Sequence, residues 1–229
     1  MRSHRVSLCW LAVALWPTAA LAQSYKIEPL KETPPSTLAA PVRATLNAEG
    51  YKVVDGGGKT YAEIWLRKSI PASEKPGEAQ GQVLFPFLAE GELLGALRFP
   101  GEGHDYRDQS IAKGVYTLRY GLQPVNGDHL GVSLYRDYTL LLPASKDSTT
   151  VDLAKKPLED RSAESAGTSH PAILMLTTAP ASGSKPPAIH HDEEKNTWGA
   201  IVPLPLEIKG SRATTPFPVQ IIVVGAAAA

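Results

Sequence analysis

The sequence predicts an all-β protein, an antiparallel β-sandwich of jelly-roll-like or immunoglobulin-like type. About eight to ten strands and at most one short helix are expected. Three observations predict it. Short runs alternate apolar and polar residues with the period of a strand. Clusters of Gly, Pro, Asn and Ser separate those runs. No strand-like run is followed by the long helical pattern that a parallel sheet needs for its crossovers.

The clearest alternation lies between Lys113 and Asp147. Tyr116, Leu118, Tyr120 and Leu122 share one face of a run from Val115 to Leu122, and Val115, Thr117, Arg119 and Gly121 share the other. Pro124 ends that run because proline cannot donate to a ladder, and Asn126-Gly127 is a strong turn signal. A return run spans Val132–Leu142 and stops at Pro143. The pair reads as a long β-hairpin at the centre of the domain. Arg119 is placed to reach Asp137 across it as a cross-strand ion pair.

The remaining elements follow in chain order. Arg2, His4 and Arg5 precede an apolar run, Val6–Trp16, that is too short to span a bilayer, and Ala20-Leu21-Ala22 has the small-x-small form of a cleavage site. Residues 1–22 therefore read as a signal peptide, and the protein as exported, periplasmic or extracellular. Residues 23–41, with Pro34-Pro35, read as a flexible lead-in. A single domain is expected over 42–225, with a tail at 226–229. Leu46–Asp55 and Thr60–Arg67 form a hairpin around Gly56-Gly57-Gly58, and Val83–Leu88 pairs with Leu93–Phe99 across Glu90-Gly91-Glu92. A short helix is expected around Leu158–Ser165. Pro171–Thr178 and Pro218–Val224 read as strands, and Trp198–Ile208, with Pro203 and Pro205, as an edge strand.

Composition narrows the function. Among 229 residues, 23 are Lys or Arg and 23 are Asp or Glu. Two of the basic residues and no acidic one lie within 1–22, so the remainder carries a slight negative excess. Without a basic surplus, nucleic acid is not an expected partner, and no membrane span is expected once the signal is removed. The one cysteine, Cys9, falls within the signal, which removes disulfides and a cysteine nucleophile from the mature chain.

No catalytic motif occurs: neither HExxH nor GxSxG is present, and Gly101-x-Gly103 has Tyr106 where a dinucleotide fingerprint needs glycine. The function expected is a non-catalytic module that binds a small molecule, a glycan or an envelope protein through loops at one end, with no cofactor. Candidate ligand contacts are Tyr106, Arg107, Arg119, Tyr135, Arg136 and Asp137, since arginines grip anionic or sugar groups and aromatic rings, with Trp198, supply stacking faces. The alternative is a metal-dependent protein or hydrolase. Imidazole and carboxylate are the usual ligands of zinc and similar divalent metals, and His104, Asp105, His129, His170, His190 and His191 are the candidates. A further alternative is a structural subunit of an envelope assembly.

The two phrases KGVYTLRYGLQP and RDYTLLLPASKD resemble secreted bacterial domain families of unknown function, in which a Lys-Gly-x-Tyr-Thr-Leu strand enters a sandwich. The resemblance covers the hairpin from Lys113 to Asp147. It implies a fold and no activity.

Overall fold

A computed structural model describes residues 24–125, 133–181, 185–211 and 213–227. The expected signal peptide, His129 and most of the hairpin's loop lie outside them. The protein is mostly β, with 45% strand and 9% helix. In chain order the elements are β1 (Tyr25–Leu30), α1 (Ala40–Thr45), β2 (Gly50–Asp55), β3 (Thr60–Leu66), β4 (Ile70–Ala72), β5 (Leu93–Phe99), β6 (Gly103–His104), β7 (Ser110–Ile111), β8 (Gly114–Leu122), β9 (Asp137–Pro143), α2 (Lys155–Ala166), β10 (Ile173–Thr178), β11 (Ala188–Asp192), β12 (Thr197–Ile208) and β13 (Thr214–Val224). Among the described residues no helix is long and apolar enough to cross a membrane.

Eleven strands form one hydrogen-bonded sheet in the order β1-β2-β3-β5-β8-β9-β10-β13-β12-β11, with β4 joined to β12. Every pairing is antiparallel except β4 with β12. The sheet curls into a mixed half-barrel. The bend falls on β10: Ile173–Met175 pair with β9, and Leu176–Thr178 pair with β13. The curl brings the rings of Tyr25 on β1 and Trp198 on β12 to 5.4 Å.

The core lies inside the curl. Ile64, Leu118, Tyr120 and Leu141 from one half pack in the same apolar cluster as Val202, Leu204, Val219 and Ile221 from the other. The β8–β9 hairpin is central, as its alternation predicts. Tyr116, Leu118 and Tyr120 all face that core. Its register sets Arg119 opposite Leu140 and Leu122 opposite Asp137. At the β2–β3 turn, Asp55 Oδ1 accepts from the amides of Gly57 and Lys59, so Gly56-Gly57-Gly58 is a hairpin turn.

Helix α2 covers the outer side of β9. Its buried stripe is Leu158, Ser162 and Ser165, which recur at helical spacing. Leu158 packs on Leu140 and Leu142. Ser162 donates to the Ala172 carbonyl at 2.9 Å and Ser165 to the Leu141 carbonyl at 2.8 Å. Gly167 ends the helix in the left-handed region.

Four expectations differ from the structure. Residues 23–41 are no loose lead-in from Tyr25 onward. There, β1 pairs with β2 along its whole length, Leu30 and Leu38 pack with Trp65, Trp65 Nε1 donates to the Glu32 carbonyl at 2.8 Å, and Glu32 pairs with Arg98 at 2.9 Å. The anchors are spaced too widely to give a period. Helix α1 was not expected at all; Pro41 starts it and Val42 is its one buried residue.

Val83–Leu88 is not a strand. Its Leu84 and Phe85 amides donate to the Asp137 carboxylate at 2.8 and 3.1 Å instead of to a neighbouring chain, and Phe85 and Phe87 enter the core. Finally, β12 is no simple edge. It pairs with β13 on one side and with β11 and β4 on the other. Pro203 and Pro205 occupy the stretch between Ile201, its last partner in β11, and Leu206, its first in β4, where no amide is required.

Candidate functional site

A cavity of about 810 Å³ opens at one end of the curled sheet, within the size range of small-molecule sites. Its walls come from four segments: Arg67 and Ser69 after β3 with Pro71 and Ala72 of β4, Phe87–Ala89 with Glu92 before β5, Thr150–Asp152, and Glu207–Ser211 at the end of β12. Ser69 Oγ donates to Glu207 Oε2 at 2.5 Å, linking two of those walls.

Glu92 is the chemically distinctive group. It is buried, with 3% of its surface exposed, and its carboxylate takes a hydrogen bond from Arg67 Nη1. Burial, reinforced by the hydrogen bond and negative charge of Asp152, pushes the Glu92 carboxyl up to about 7. The positive charges of Arg67 and Arg119 oppose the rise without cancelling it. Glu92 therefore keeps its proton up to about neutral pH, with exposed Asp152 beside it.

Two arginines flank Glu92 and are used differently. Arg119 is fully buried and all five of its N–H groups are occupied. Nε and Nη2 donate to the Asp147 carboxylate at 2.6 and 2.9 Å, Nη1 to the carbonyls of Gly91 at 2.7 Å and Val151 at 3.0 Å, and Nη2 also to Thr149 at 2.6 Å. Thr117 adds a 2.6 Å bond to Asp147. Gly91 and Val151 directly precede Glu92 and Asp152, so one saturated guanidinium fixes the backbone under both acids. Arg67, by contrast, is incompletely satisfied: its Nε is buried without a partner among the described residues. An under-used buried donor at a cavity wall is the kind of group a ligand or water completes.

Gly91 permits the close approach. Its φ is +89°, and a Cβ there would lie 2.0 Å from the Leu153 carbonyl oxygen. Only glycine fits both constraints.

None of the sequence-derived candidates lines this cavity. The expected Arg119–Asp137 ion pair is absent, because the hairpin register sets them three pairs apart and on opposite faces. Arg119 pairs with Asp147. Asp137 points inward, accepting from Leu84, Phe85 and, at 2.6 Å, the Tyr120 hydroxyl. Burial raises its carboxyl while those three donors hold it down.

Arg136 Nε is spent on the Gln123 carbonyl at 2.6 Å, and Tyr135 packs against the main core. Tyr106 sits beside Tyr138 at 6.3 Å. Burial pushes the Tyr138 hydroxyl up to about 12. Arg107 lines a different cavity, of about 60 Å³, with Tyr138 and Glu159.

The metal candidates are likewise tied into the fold. Asp105 is buried and accepts from the amides of Arg107, Gln109 and Ile173. His104 pairs with Asp108 at 3.2 Å, and the His170 amide turns back to Thr168. His190 faces a 170 Å³ hollow beside Asp192. His191 stacks on Trp198 at 3.8 Å with ring planes 7° apart, and its Nε2 is buried without a partner among the described residues. Among the described residues no group of three or more His, Cys, Asp or Glu side chains is placed to hold a metal ion.

The residues that sequence reasoning missed are Arg67, Glu92 and Asp152. They lie in three separate segments, and no spacing joins them. The only signal was Glu90-Gly91-Glu92, a glycine between two acids at a strand entry, read as a simple connection.

Comparisons with protein-family models, with curated proteins and with solved structures gave no match.

Proposed function

We propose that the protein is an exported, non-catalytic binding module of sandwich-like build, and that its ligand is a small polar molecule seated in the cavity at the end of the sheet. The export part rests on the charged, apolar and small-residue order of residues 1–22. The sandwich reading rests on the two halves of the curl, which face each other across one core. The observation that carries the binding reading is the Arg67–Glu92–Asp152 cluster in the cavity wall, braced from below by a saturated arginine.

The test is a fragment screen on isotope-labelled protein by NMR. Fragments that bind are expected to shift cavity amides from Ser69 to Ser73 and from Thr150 to Asp152. Arg67→Ala is expected to lose those shifts while keeping a folded spectrum. Shifts confined to another surface would refute the reading.

One observation favours a second reading, a hydrolase. A buried carboxyl that holds its proton up to about 7 is suited to general acid–base work. Turnover of ester or peptide substrates that disappears in Glu92→Gln would establish it, and turnover surviving that change would exclude this site.

A further inference from the structure

The charges in the cavity wall have an order that selects among small polar ligands. Arg67 and Glu92 touch, and Asp152 adjoins Glu92, so a cationic donor and an anionic pair stand side by side. A neutral sugar can hydrogen-bond these groups but leaves their charges unmatched, and the cavity gives it no stacking platform: Phe87, the one aromatic residue lining it, is 1% exposed. Beyond the charges, Leu88, Ala89, Val151 and Ile208 offer apolar surface, with Val151 70% exposed at the cavity. The combination suits a head group with opposite charges one carbon apart and an apolar tail.

We propose that the cavity binds a free amino acid with an apolar side chain, its carboxylate on Arg67, its ammonium on Asp152 and Glu92, and its side chain along Leu88, Val151 and Ile208. This deepens the binding reading above and depends on it. Arg67 supplies fork-like donors for a planar carboxylate. An ammonium beside Glu92 favours its ionised carboxylate, so binding near neutral pH releases the proton that Glu92 holds. Among the described residues the charged groups that act most on Glu92 are Arg67 beyond the end of β3, Arg119 on β8 and Asp152 on the segment after β9, with Glu207 and Lys209 of β12 and its end on the facing wall.

The experiment is calorimetric titration of the mature protein with leucine, N-acetyl-leucine, leucinamide and 4-methylpentanoate at pH 7. Leucine is expected to bind, and blocking either end to weaken it by about tenfold or more, the loss of one charge-assisted contact. Leucine enthalpies are expected to vary with the ionisation enthalpy of the buffer, which reports the released proton.

Asp152 is exposed, so Asp152→Asn keeps the fold. It is expected to weaken leucine by about tenfold and leave 4-methylpentanoate, which has no ammonium, unchanged. Equal binding of leucine and N-acetyl-leucine overturns the proposal, as does equal weakening of both ligands by Asp152→Asn. Failure of leucine and the other apolar amino acids to bind, with fragments still shifting the cavity, overturns this proposal and leaves the binding reading intact. A cavity silent to fragments as well overturns both.

Discussion

Glu92 carries its proton for a reason that also sets how stability depends on pH. Its carboxyl is held at about 7 in the folded protein against an ordinary value of 4.5. The folded state therefore binds more protons than the unfolded chain between those values. The linked stabilisation is complete below about 4.5 and is lost as pH rises through about 7. A shift of that size corresponds to about 3 kcal/mol. The wild-type protein is expected to lose stability relative to Glu92→Gln by about 2 to 3 kcal/mol between pH 4.5 and 8. Urea unfolding at both pH values checks it. Because the comparison is between two proteins differing at one site, the titration of Asp137, which has no contact with Glu92, cancels.

Arg119 belongs to the scale of elements, because it joins β8 to the entry of β5 and to the segment after β9. Breaking its buried pair leaves an uncompensated charge, which costs far more than an exposed pair is worth. Asp147→Ala is expected to destabilise the protein by about 3 to 5 kcal/mol, read from the midpoint of urea unfolding. A loss under about 1 kcal/mol, the range of exposed pairs, would mean that the segment holds without the pair.

Arg119 also marks where sequence reading succeeded and where it stopped. The alternation through Tyr116, Leu118 and Tyr120 was legible because a strand buried on one face has a period. Placing Arg119 on the opposite face was equally legible. That this face is covered too, by the polar segment from Asp147 to Val151, left no periodic trace. The same holds for Phe85 and Phe87, whose run looks like a strand until Asp137 takes two of its amides. Arg67, Glu92 and Asp152 were illegible for a related reason: Arg67 meets Glu92 through the pairing of β3 with β5, and Asp152 joins them because Gly91 and Leu153 touch, both contacts between distant segments.

For the whole molecule, the decisive feature is that the two facing halves are parts of one sheet. Among the described strands β10 alone connects them by backbone hydrogen bonds. Its pairing is short, from Ile173 to Met175 on one side and from Leu176 to Thr178 on the other. The halves are otherwise held mainly by apolar packing, which is strong but non-directional, with polar links such as that of Ser69 to Glu207. Amides of β8 and β13 are expected to show the slowest hydrogen exchange, and those of β10 faster exchange than either, measured residue by residue. Uniform protection across β8, β10 and β13 would mean that the halves do not open separately.

Strand β10 thus works as the spine of a book whose covers press together and whose fore-edge, where β1 comes near β11, has no ladder of backbone hydrogen bonds among the described residues. Small swings about that spine would widen or narrow everything held between the covers without breaking a rung of either ladder. A substitution at Met175 or Leu176, neither of which lines the large cavity, would then be felt as a change in how far the pages part.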